Sequence, residues 1–341
     1  MTHPDPDPTP DPQNLRELAE PPRAGRDPAR LPRFRAGGWV SGLLVVIVAV
    51  FLGVALVRNW AAVADDLHTL SWWDLLASGL AGALAVTCSG LGWRVVLVGM
   101  GEPMPARPAL TMFFAAQLGK YVPGSVWPAA IQAELGRRRS VPRATMLVSY
   151  VVAVLIAAAT GGLVGLLALL GPEASRGLAL WMLVLAGAVA LALLRPRWLN
   201  RALAWAFDRS GRTPPPIDLP GRSLAAAVAW LIACWGFFGL HAWLLARPLG
   251  AGAADVASTI GAFALAFVAG LLVVPLPAGA GVREGVLVAT LAGSIGAPAA
   301  LTVSLVSRLV LLVVDVALAG LFGVRGAARS VRGRGAGLPA K

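Results

Sequence analysis

Long apolar runs recur along this chain, separated by short polar loops. About 20 helical residues cross a ~30 Å hydrocarbon core. Residues 39–57, 75–100, 144–170, 178–194, 223–246 and 298–324 each read as a full span, and 144–170 and 178–194 form a close pair joined through Gly171 and Pro172. Two further apolar regions are interrupted. Residues 108–135 break at Gly119-Lys120-Tyr121-Val122-Pro123-Gly124, and residues 256–295 break at Pro275-Leu276-Pro277-Ala278-Gly279-Ala280-Gly281. The pattern predicts an all-α, polytopic helical membrane protein, with about six full spans plus two re-entrant hairpins of broken helices. The arm at 256–274 is long enough to reach deep.

Outside the apolar part, residues 1–37 hold nine prolines and few apolar side chains. Such a segment cannot bury enough surface to offset its ordering entropy, so it reads as a disordered cytoplasmic tail. It lacks the basic start of a signal peptide and a convincing cleavage site follows nowhere, so the mature chain is expected to keep it. Residues 38–325 form the membrane domain, and 326–341 a basic cytoplasmic tail.

Basic residues set the orientation. The N-terminal tail carries 6 Arg, the 136–143 loop 4, the 195–222 loop 6, and the tail after Val324 carries 4 Arg plus Lys341. The loops at 58–74, 171–177 and 247–255 carry one Arg each. Both termini are therefore expected in the cytoplasm, with Asp65, Asp66 and Asp74 outside. Parity then makes 108–135 leave and return on the cytoplasmic side, and 256–297 start and end outside. The two hairpins enter from opposite faces, as an inverted repeat would produce. No clean self-similarity supports the symmetry, which rests on topology alone.

Composition narrows the class. The chain is 57% apolar and 13% charged with net charge +12, too little charge to cover a soluble protein of 341 residues. The excess charge is mostly topological, so nucleic acid is not the expected partner. Cys88 and Cys234 lie in apolar stretches, and no metal-ligand spacing, nucleophile elbow or phosphate loop is present. No cofactor and no metal are expected.

Unpaired backbone cannot face lipid, so the Gly/Pro breaks at Gly119, Pro123, Gly124, Pro275, Pro277, Gly279 and Gly281 predict an internal polar site. The alternative is an ordinary kink or surface loop. Half-helix N-termini suit phosphate or carboxylate, and Glu284 falls in such a first turn.

The run Gln117-Leu118-Gly119-Lys120-Tyr121-Val122-Pro123-Gly124-Ser125-Val126-Trp127-Pro128, followed by Glu134-Leu135-Gly136-Arg137, resembles the signature of the lysyl-phosphatidylglycerol synthase transmembrane family of flippase-like proteins. Pro275 to Gly281 with Val282-Arg283-Glu284-Gly285 resembles that family's second motif. The similarity covers roughly 40–330. It implies a multi-pass protein of a bacterial-type inner (plasma) membrane that moves a lipid or lipid-linked group between leaflets. In the family's two-part synthases a soluble domain attaches lysine and the membrane domain flips the product. The seventeen residues after Val324 leave no space for such a domain, so lysyl transfer, and enzyme activity generally, is not expected. Other relatives accompany glycosyltransferases, so the resemblance implies an anionic phospholipid, an aminoacylated lipid or a polyprenyl-linked glycan as substrate. A glycosyltransferase or lipid synthase is the implied protein partner.

Candidate substrate-binding residues cluster at the breaks. Lys120 stands out because the chain has 27 Arg and only 2 Lys, and a compact ammonium suits phosphate. Snorkelling at a re-entrant base is the plainer reading. Tyr121 adjoins it. Gln117, Gln132 and Glu134 flank the first break, where Glu134 reads equally well as a partner of Arg137 or Arg138. Arg283 and Glu284 lie in the second break. Arg308 and Asp315 lie seven residues apart on one face of the last span, beside Ser304, and intramembrane ions usually face inward and pair. Their partners cannot be read from the sequence. Arg94 can snorkel, and a lone His241 reads as a packing or hydrogen-bonding residue.

The expected function is a lipid flippase or transporter. Alternatives are an intramembrane lipid-headgroup or glycosyl transferase with Glu134 or Glu284 as base, and a non-transporting subunit of a cell-envelope glycan or lipid assembly complex.

Overall fold

The computed structural model describes residues 60–122, 126–169, 219–272 and 279–335, together with Val54, Val57, Arg201 and Trp205. The tail at 1–37, the span at 178–194, the span at 39–57 apart from Val54 and Val57, and Pro123, Gly124, Pro275 and Pro277 lie outside the described residues. Those residues form helices and no strand. In chain order they are α1 (Trp60–Thr69), α2 (Trp72–Gly99), α3 (Ala106–Gln117), α4 (Trp127–Arg137), α5 (Arg143–Leu169), α6 (Gly221–Ala246), α7 (Val256–Leu272), α8 (Val282–Ile295) and α9 (Ala297–Gly335). The protein is an all-α, multi-pass membrane protein.

Local chemistry starts and stops these elements. Ser71 caps α2 and forms a reciprocal box with Asp74: its hydroxyl accepts the Asp74 N–H, and the Asp74 carboxylate accepts the Ser71 N–H. Pro220 precedes α6, and Gly250 in the left-handed region (φ 112) follows its end. Asp74 Oδ1 meets Arg247 at 3.0 Å, joining the start of α2 to the end of α6. These helices therefore run antiparallel, with both acidic and basic partners drawn from the loops that the charge pattern puts outside.

Among the described residues, five stretches are long and apolar enough to cross a membrane: Trp72–Gly99, Arg143–Leu167, Gly221–Leu249, Ala253–Leu271 and Ala297–Gly323. Four match expected spans. The fifth is the first arm of the second hairpin. Its helix has 17 residues, about 26 Å at 1.5 Å per residue, which approaches the full hydrocarbon thickness. Its returning arm has 14 residues, about 21 Å. The first hairpin is shallower, with arms of 12 and 11 residues, about 18 and 16 Å. Both of its arms open at one end of the bundle. Arg94, near the end of α2, donates through Nε to the Met104 carbonyl at 2.7 Å, and Gly136 abuts Met146 at the start of α5. Arg94 thus ties down a loop.

Two elements differ from the sequence reading. The loop at 58–74 contains a ten-residue helix, α1, because Trp60-Ala61-Ala62-Val63-Ala64-Asp65-Asp66-Leu67 is rich in good helix formers with no Gly or Pro. Thr302 on α9 donates to Asp66 at 2.8 Å and anchors it. The last helix continues to Gly335, past the expected end of the membrane domain at 325.

The interior is apolar and aromatic: Trp93, Trp235, Phe114 and Phe263 are fully buried. Their polar atoms are satisfied across helices. Trp93 Nε1 donates to Ser149 at 3.1 Å and Trp235 Nε1 to Thr160 at 3.0 Å, as buried indoles require. His241 is bonded on both ring nitrogens, to Ser78 at 2.7 Å and Ser307 at 2.8 Å, and so links α2, α6 and α9. Outward-facing Leu80, Leu84, Leu309, Val313 and Val316 stay exposed, which suits hydrocarbon rather than water. Trp72 and Trp73 are exposed at the start of α2, where an interfacial aromatic belt belongs.

Candidate functional site

The first break is a tightening followed by a stop. α3 ends at Gln117, Leu118–Tyr121 winds into a 3-10 turn, and Val122 turns to extended backbone with ψ 134. The turn presents Lys120 and Tyr121 to the last helix. Lys120 Nζ lies 2.6 Å from Asp315 Oδ2, and the Tyr121 hydroxyl donates to the same oxygen at 2.6 Å. The Asp315 side chain is 0% exposed and Lys120 29%. Asp315 Oδ1 has no hydrogen-bond partner.

The second break returns through Gly279 (φ 66) and Gly281 (φ 80), a left-handed backbone that glycine alone adopts freely. Gly279 also packs on α7: a Cβ there would fall 2.6 Å from the Gly270 Cα. α8 then begins at Val282. Its Glu284 carboxylate accepts the Gly281 N–H and pairs with Arg308 of α9. Glu284 is buried and sits where the helix start favours a carboxylate.

Arg308 and Asp315 share a face of α9, but they do not pair with each other. Each holds a different break, Arg308 the second and Asp315 the first, about 10 Å apart along the helix. α9 thus ties the two hairpin tips together.

Between the tips and the core lies a cavity of about 200 Å³. Gln117, Lys120, Gln132, Tyr150 and Arg283 contribute polar groups to its wall, and Trp93, Trp235, Phe238 and Phe267 contribute aromatic ones. Among the described residues its lining includes no carboxylate. Arg283 lies with its guanidinium carbon 4.5 Å from the Phe263 ring centroid, a cation–π contact. It makes no hydrogen bond or ion pair to a described residue. Gln132 is 1% exposed and its Oε1 has no partner. Among the described residues, the charges of the site are three cations, Lys120, Arg283 and Arg308, against two carboxylates, Glu284 and Asp315. One positive charge is in excess, and the pairing leaves it on Arg283.

Of the sequence candidates, Gln117, Lys120, Gln132 and Arg283 line the cavity, while Tyr121, Glu284, Arg308 and Asp315 form the struts behind it. Glu134 lies elsewhere. It is held by Arg137 and Arg143, each at 2.8 Å, at the exposed end of α4. Hydrogen bonds from Arg137 and then Arg143 keep its carboxyl at about 2, so the surface-partner reading is the one its geometry matches. Tyr150 was not among the sequence candidates. The signal available was rarity: the chain has only 2 Tyr, and both stand at this site.

The family model described as the lysylphosphatidylglycerol synthase TM region matches residues 39–319. No curated protein matches the chain.

Proposed function

The chain belongs to the lysylphosphatidylglycerol synthase transmembrane family, and from that premise we propose that it carries a lipid with an anionic headgroup between leaflets. The observation that supports this most is the cavity between the two broken hairpins, with Lys120 and Arg283 in its wall and no carboxylate among the described lining residues. A half-buried cation that makes no ion pair is costly. A phosphate brought to Arg283 would offset that cost through charge-assisted hydrogen bonds. The headgroup would occupy the cavity while the acyl tails stay in hydrocarbon.

The two ion-pair struts suit alternating access. Lys120–Asp315 closes one tip against α9 and Arg308–Glu284 the other. Opening one while the other stays closed would expose the cavity to one side at a time. Both carboxylates once considered as general bases, Glu134 and Glu284, are engaged by arginines, which favours a carrier over an intramembrane transferase. The drive would come from an ion gradient, the membrane potential or downhill supply. We place the protein in a plasma membrane with both termini in the cytoplasm, on its loop charges.

The test is leaflet exchange in liposomes. Purified protein should speed the exchange of fluorescent phosphatidylglycerol above the protein-free rate and leave phosphatidylcholine near it. No acceleration for any anionic or glycosylated lipid refutes the proposal.

A further inference from the structure

The polar groups of the cavity that no neighbour satisfies narrow the headgroup. Gln132 is 1% exposed with Oε1 unpartnered. The Gln117 amide and the Tyr150 hydroxyl also face the cavity without a hydrogen bond to any described residue. A buried polar group left unpaired is unfavourable, so Gln132 Oε1 calls for a ligand, and the half-buried Gln117 and Tyr150 stand beside it. A phosphate oxygen only accepts, and it cannot satisfy an amide carbonyl. The Gln132 carbonyl oxygen is the atom turned into this buried position, and it needs a donor. Supplied by a lipid headgroup, that donor is either a hydroxyl or an ammonium.

Charge decides between them. The site already holds one positive charge in excess, on Arg283, and no carboxylate among the described residues reaches the cavity wall. An aminoacyl headgroup would bring further ammonium into a cavity that offers it no counter-charge. A monoanionic phosphodiester bearing hydroxyls neutralises Arg283 and supplies groups that both donate and accept. Trp93, Trp235 and Phe238 in the wall suit the apolar C–H face of a polyol or sugar. The volume of about 200 Å³ is below the ~300–1,000 Å³ of drug-sized pockets and admits one small headgroup.

From these observations we infer that the cavity selects a hydroxyl-bearing phosphodiester, a glycerol- or sugar-phosphate headgroup, and rejects cationic aminoacylated ones. The inference rests on the lipid-carrier reading, and it names the substrate class of that same site. Arg283 takes the phosphate, and Gln132, Gln117 and Tyr150 take the hydroxyls.

The experiment is thermal stabilisation of the detergent-solubilised full chain by dioctanoyl lipids. Phosphatidylglycerol, phosphatidylethanol and lysyl-phosphatidylglycerol share their tails and differ in headgroup. Phosphatidylglycerol should half-saturate at a concentration at least about tenfold lower than either other lipid. In Gln132→Leu the gap to phosphatidylethanol should close while phosphatidylethanol itself is unchanged. Free glycerol 1-phosphate tells the two sources apart. Stabilisation by the lipid alone assigns a lipid headgroup, and stabilisation by both assigns a polyol phosphate in either form; each supports the chemistry. Lysyl-phosphatidylglycerol binding as tightly as phosphatidylglycerol, or phosphatidylethanol matching it in the wild type, overturns the inference without any variant having to fold. Selective binding with no leaflet exchange refutes transport and leaves the headgroup assignment standing. Exchange with a preference for the lysyl lipid does the reverse.

Discussion

Arg283 and Asp315 make opposite demands on their surroundings. Arg283 has Phe263 beneath it, and the adjoining Glu284 carboxylate is turned to Arg308 instead. Asp315 has two donors on one oxygen and none on the other. Removing the Asp315 charge leaves Lys120 without its counter-ion. Breaking a fully buried pair costs about 3–5 kcal/mol. Lys120 is 29% exposed, so about 2 kcal/mol is expected for Asp315→Asn after allowing for solvent screening. Thermal unfolding should show that loss, and the double variant with Lys120→Met should recover part of it. Additive losses would mean the two residues do not couple. Glu134 gives a pH test. Its folded pKa of about 2 lies below the ordinary ~4.3 of an unfolded Glu. Its pairs therefore contribute stability that is present above about 4.3 and lost as pH falls through about 2. The melting-temperature difference between wild type and Glu134→Gln should shrink across that window, and leaflet exchange near neutral pH should not change.

At the scale of elements, close helix contact is the main packing device. A Cβ on Gly239 of α6 would fall 2.3 Å from the Ile260 Cα of α7, whereas one on Gly236, a turn away, meets nothing within 4 Å. Gly239→Ala must push two backbones apart and should cost about 1–3 kcal/mol. Gly236→Ala should be neutral or slightly stabilising, because Ala is the better helix former. Equal melting temperatures for the two variants would contradict the packing. The elements themselves were largely legible from hydropathy. The described spans follow the apolar runs, and the two breaks fall where Gly and Pro cluster. α1 was not legible, since a ten-residue helix leaves no span-length signal and sits in a loop defined by charge. The pairings were not legible either. Tyr121 and Asp315 are 194 residues apart and Arg308 and Glu284 24, and which helix face meets which break depends on packing register rather than local sequence. Tyr150 was missed because a single polar ring in an apolar run looks like packing until the wall it faces is assembled.

Across the whole molecule, the basic residues divide by depth. By sequence most fall in the loops and tails, whereas Lys120, Arg283 and Arg308 meet at two broken hairpins and one strut helix. In the proposed carrier, the membrane would solvate the lipid tails and the cavity the headgroup. The single excess cation at Arg283 is what should distinguish anionic lipids from neutral ones. A charge-assisted hydrogen bond is worth about 1.5–3 kcal/mol, roughly ten- to a hundredfold in binding. The direct measurement is leaflet exchange of fluorescent phosphatidylglycerol in liposomes at a fixed protein-to-lipid ratio, comparing wild type, Arg283→Gln and Gly236→Ala. The expected result is exchange at least about tenfold slower in Arg283→Gln, with Gly236→Ala matching the wild type. Equal exchange by wild type and a folded Arg283→Gln would contradict the account.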